Sequence, residues 1–137
     1  MNTVSIWVAE NITFELAYSL FVYNPKKSKI NCSKFKKLFD IKNTTFFDEE
    51  HVYIVDEILN GISIEHLDKI LEKYGFIEIY GNLKSKLSKL NIYQINYMVI
   101  APDFEYNGTI LEVDGIKFIG AFSYEFNDDF LDWLFNE

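Results

Sequence analysis

The chain has 137 residues, 49% of them hydrophobic and 25% charged, a balance that fits one globular domain spanning 1–137 and excludes a collagen, a coiled coil or a disordered tail. The formal net charge of −8 disfavours direct binding to nucleic acid phosphates or anionic lipid. That charge is uneven, with the blocks 1–22, 23–47, 48–80, 81–102 and 103–137 carrying −2, +6, −7, +3 and −8.

Thr3–Val8 opens the chain as a strand with Val4, Ile6 and Val8 on one face and Trp7 on the other, so both faces are expected to pack. Residues 12–22 read as a helix with Phe14, Ala17, Tyr18 and Phe21 inward, stopped by Asn24-Pro25. A second helix is expected from Asn31, with Ile30 stapled to Phe35 and with Phe35, Leu38 and Phe39 inward. Residues 44–59 read as strand, turn, strand. Ser63 caps a third helix whose inner face is Ile64, Leu67, Leu71 and Tyr74, and Gly75 stops it. Leu83, Leu87 and Leu90 mark a fourth helix, with Lys84, Lys86 and Lys89 on its wet side.

The pattern then changes period. Tyr93–Ala101, Thr109–Val113 and Ile116–Tyr124 read as strands joined by the turn dipeptides Asn107-Gly108 and Asp114-Gly115, which predicts a meander. Asn127 caps an expected final helix, with Phe126 and Leu131 as its staple. That helix is apolar on more than one face, which leaves a homodimer open. The expected fold is a single α+β domain, a mostly antiparallel sheet of about four to five strands with helices packed on it.

The sequence carries no nucleophile elbow, phosphate loop, dinucleotide fingerprint or zinc-ligand spacing, and the expectation is a non-enzyme with no metal and no cofactor. The alternative reading is a small metal-binding protein or enzyme using Asp48-Glu49-Glu50-His51 with Asp56; a regulatory adaptor acting on a partner other than a toxin is a third. His66 reads as a surface or half-buried residue. Cys32 lies near Lys34, Lys36 and Lys37, and without a histidine partner it reads as an inert thiol. No apolar run is long enough to span a bilayer, the start lacks the basic residues of a signal peptide, and one cysteine fits a reducing compartment. The expected location is the cytoplasm.

Val4-Ser5-Ile6-Trp7-Val8, Phe47-Asp48-Glu49-Glu50, Asp103-Phe104-Glu105-Tyr106-Asn107-Gly108 and Phe118-Ile119-Gly120-Ala121-Phe122-Ser123-Tyr124 together resemble the immunity protein 22 family, in order and in spacing. Where that family has a glycine after its opening motif this chain has Ala9, and where it has an acidic loop this chain has Tyr23-Asn24-Pro25-Lys26-Lys27-Ser28. The resemblance implies a protein that binds and neutralises a cognate bacterial toxin domain. A basic nuclease domain would suit the charge, and the expected contact surface is an acidic face of Asp48, Glu49, Glu50, Asp103, Glu105, Tyr106, Asp128, Asp129 and Asp132.

Overall fold

The computed structural model describes residues 2–21, 33–41 and 51–125. Strand β1 (Asn2–Ala9) is buried from Val4 to Ala9, and a strand apolar on both faces belongs in the interior of a sheet. It pairs antiparallel on one side with β5 (Tyr97–Pro102) and on the other with β7 (Ile116–Tyr124). Outside β5 lies β2 (Tyr53–Val55) and outside β7 lies β6 (Glu112–Val113), giving the order β2-β5-β1-β7-β6. The fold is therefore α+β with a five-stranded antiparallel sheet, as expected.

The expected meander is not formed, because β1 takes the place between β5 and β7 and gives each of them a partner. Asn107-Gly108 consequently lies in an irregular crossing segment rather than a hairpin, and the expected strand 109–113 shrinks to β6. Asp114 and Gly115 do form a tight hairpin, with φ of 52° and 83°, the two left-handed positions of a type I′ turn. The expected strand 93–101 breaks at Asn96. Before the break, β4 (Gln94–Ile95) pairs with β3 (Ile62–Ser63) in a separate small sheet. At the break the buried Asn96 side chain accepts from Ile12 N and donates to Ile12 O, 2.9 Å each, which fixes the chain leaving β1. Opposite Ile6 and Trp7 the register of β7 slips from Gly120 to Phe118, a bulge that admits Ile119 to the same core as Ile6.

The two faces of β1 divide the core. Val4, Ile6 and Val8 join Met98 and Ile100 under α3 (Leu67–Tyr74) and α4 (Tyr80–Lys89), whose Leu67, Leu71, Leu83 and Leu87 are fully buried. Trp7 and Val99 meet Leu20, Phe35 and Phe39 from α1 (Phe14–Ser19), α2 (Lys34–Leu38) and their ends. Ser63 caps the 3-10 turn Ile64–His66 that leads into α3, and Gly75, in left-handed conformation with φ 87°, ends that helix as expected. A second 3-10 turn, Ile77–Ile79, links α3 to α4.

Three expectations change. Phe14 and Tyr18 point outward, 66% and 69% exposed and stacked on each other, because α1 turns its small Ala17 and Leu20 to the core. Leu90 is exposed because α4 ends at Lys89. The cap of α2 is Ser33, whose hydroxyl accepts from Lys36 N; Asn31 lies outside the described residues. Also outside them are Cys32, the segment 44–50 and the expected helix from Asn127, whereas residues 51–59 hold β2 and the turn after it.

Candidate partner-binding surface

The pairings Val4 with Pro102, Asn2 with Tyr124 and Tyr53 with Ile100 bring the end of β5, the end of β7 and the start of β2 to one end of the sheet. Asp103 turns the chain there with φ 57°, a left-handed conformation that aspartate tolerates better than most side chains. The Tyr124 hydroxyl donates to Asp103 Oδ1 at 3.0 Å. One residue on, Glu125 N donates to Glu78 Oε2 at 3.0 Å and ties the end of β7 to the 3-10 turn after α3. Glu78, Asp103 and Glu125 are all exposed.

Beside these acids runs a row of four aromatic rings. Tyr74 and Tyr53 lie 5.3 Å apart, Tyr53 and Phe76 6.1 Å, and Phe76 and Tyr124 5.1 Å, in tilted and edge-to-face geometry. Phe76 is buried, Tyr74 and Tyr124 are half-buried, and Tyr53 is 41% exposed. Each end of the row meets a carboxylate. Asp103 holds Tyr124, and Glu57 takes the Tyr74 hydroxyl at 3.2 Å and the Lys73 ammonium at 3.1 Å. Burial, then the Asp103 hydrogen bond and charge, push the Tyr124 phenol up to about 12; burial, then Glu57, push Tyr74 up as well. Both hydroxyls therefore keep their protons at neutral pH and donate to Asp103 and Glu57. The hydrogen bond to Glu57, then its charge, raise Lys73 and keep it cationic.

Past Asp103 the side chains alternate outward and inward. Asp103 and Glu105 are exposed, while Phe104 and Tyr106 are buried against Trp7 with ring centroids 6.4 and 5.5 Å away. The Ser5 hydroxyl, fully buried on β1, donates to Phe104 O at 2.6 Å and accepts from Tyr106 N at 3.0 Å. The Tyr106 hydroxyl lies 3.0 Å from Phe39 O and 2.9 Å from Ile110 O. Tyr106, expected on the contact face, is thus a core residue whose ring and hydroxyl are both engaged.

Of the expected contact residues, Asp103 and Glu105 are exposed at or just beyond this sheet end. Asp48, Glu49, Glu50, Asp128, Asp129 and Asp132 lie outside the described residues. His51 lies two residues before β2 and Asp56 directly follows it. Among the described residues no group of three or more His, Cys, Asp or Glu side chains could hold a metal ion, and no helix is long and apolar enough to cross a membrane. Tyr53, Tyr74, Phe76 and Tyr124 were not expected together: the sequence places Tyr74 on the inner face of its helix and Tyr124 in the last shared motif, and three distant segments supply the row. No family model, no curated protein and no solved structure matches the chain.

Proposed function

We propose that this is a cytoplasmic immunity protein that binds a basic toxin domain one to one and neutralises it by occlusion through the acidic end of its sheet. One observation carries the reading: exposed acidic residues of three separate segments, Glu78, Asp103 and Glu125, lie at that end beside partly exposed tyrosines, with Asp103 on the Tyr124 hydroxyl and Glu78 on the Glu125 backbone N–H. Carboxylates of this kind steer an oppositely charged partner and set the rate of encounter, while aromatic side chains losing their water supply most of the affinity. The net charge of −8 acts in the same direction at long range. The toxin itself enters through the sequence resemblance to the immunity protein 22 family, and the most informative partner is a toxin-like domain encoded beside this chain.

The test is titration of that domain's activity with the purified protein. Inhibition should be complete near one equivalent and should weaken with added salt. Inactivation by strongly substoichiometric amounts would indicate catalysis, and no inhibition at several equivalents would remove the toxin reading.

A further inference from the structure

The two ends of the aromatic row differ in how their charge is balanced. At the Tyr74 end, Lys73 pairs with Glu57, and its ammonium lies 5.5 Å from the centre of the Tyr74 ring. At the Tyr124 end the hydrogen bonds of Asp103 and Glu78 come from a neutral phenol and a backbone N–H. Among the described residues no lysine pairs with Asp103, Glu78 or Glu125. A cationic side chain entering there would give these exposed carboxylates an ion-pair partner.

We infer that the Tyr53–Phe76–Tyr124 end of the row is a receiving site for an arginine side chain on a basic protein segment. Tyr53 offers an exposed ring, and Tyr124 presents Asp103 at the rim of the same surface. A guanidinium suits this pairing better than an ammonium. Its plane stacks on an aromatic face, it is weakly hydrated, and its edge donates two parallel hydrogen bonds to a carboxylate. Lys73 over Tyr74 shows the same chemistry made within the chain at the other end, with Glu57 as its carboxylate. The inference rests on the acidic-face reading and names the chemistry recognised there.

The probe is a hexa-arginine peptide titrated into the full chain, followed by residue-resolved amide NMR and by calorimetry. Shifts should centre on Tyr53, Asp103 and Tyr124. Asp103→Asn, which keeps an acceptor for Tyr124, and Tyr53→Leu, which keeps apolar bulk on β2, should each weaken the peptide by roughly 5- to 30-fold. Tyr53→Phe should stay within about twofold, because the ring face is retained. Glu112→Gln, on β6 at the far edge of the sheet, should leave binding unchanged. The inference is overturned if the parent does not bind, if Tyr53→Leu binds as the parent does, or if Glu112→Gln weakens binding as much as Asp103→Asn. Its failure is separable from that of the toxin reading. Peptide binding that depends on Tyr53 with no toxin neutralised sinks only the toxin, and full neutralisation by Tyr53→Leu sinks only this site.

Discussion

Ser5→Ala removes one oxygen from the middle of β1 and tests how the acidic segment is held. The hydroxyl is fully buried and joins two backbone groups about a hundred residues away in the chain, donating to Phe104 O at 2.6 Å and accepting from Tyr106 N at 3.0 Å. Alanine fits the space, so no cavity larger than a hydroxyl arises, and the cost is that of two buried polar groups losing their partner. At roughly 1 to 3 kcal/mol for each, discounted because the loop can shift to recover part of it, the loss should be about 2 to 4 kcal/mol. With a urea slope of about 1.5 kcal/mol per molar, a 3 kcal/mol loss lowers the midpoint by about 2 M. Equilibrium urea unfolding followed by tryptophan fluorescence reads this directly, since Trp7 packs against Phe104 and Tyr106. A loss below about 0.5 kcal/mol, the size of an ordinary surface change, would refute the clamp.

Trp7→Ala should cost about 3 to 5 kcal/mol, because the ring is fully buried among Phe35, Phe39, Phe104, Tyr106 and Phe118; a stable variant that loses only partner binding would contradict this. Gly108→Ala should cost about 1 to 3 kcal/mol, since a methyl there overlaps the Tyr106 ring and hydroxyl, and thermal melting checks it. Between about pH 10 and 12 the unfolded chain releases the Tyr124 proton while the folded chain keeps it, so stability present below pH 10 falls as pH rises through that window. Tyr124→Phe should make that fall shallower, as read from denaturant midpoints at pH 8 and pH 11.

Much of the local structure was legible because short-range chemistry specifies it. The alternation in β1, the Ser63 and Gly75 ends around α3, the buried pair Leu83 and Leu87, and the Asp114-Gly115 hairpin each follow from neighbours a few residues apart. Strand order was not legible, because periodicity tells which faces of a strand are apolar and not which strand lies beside it. Phe14, Ala17 and Tyr18 share helical spacing, yet of these the core takes only Ala17, together with Leu20, and leaves Phe14 and Tyr18 outside. Asp103 and Glu105 were legible as an acidic segment, while the inward turn of Tyr106 depends on Ser5, about a hundred residues away. The aromatic row was invisible for the same reason, being assembled from β2, the residues around the end of α3 and the end of β7.

The central claim is that the acidic sheet end captures a basic partner. Its most direct test is the association rate of a basic toxin domain, should one be encoded beside this chain, with the parent and with Asp103→Asn/Glu105→Gln, by stopped flow at low and at physiological salt, after confirming equal melting temperatures. The account predicts slower association for the variant at low salt, a weaker dependence on salt than the parent shows, and convergence of the two as salt rises. Equal rates for parent and variant at both salt concentrations would contradict it.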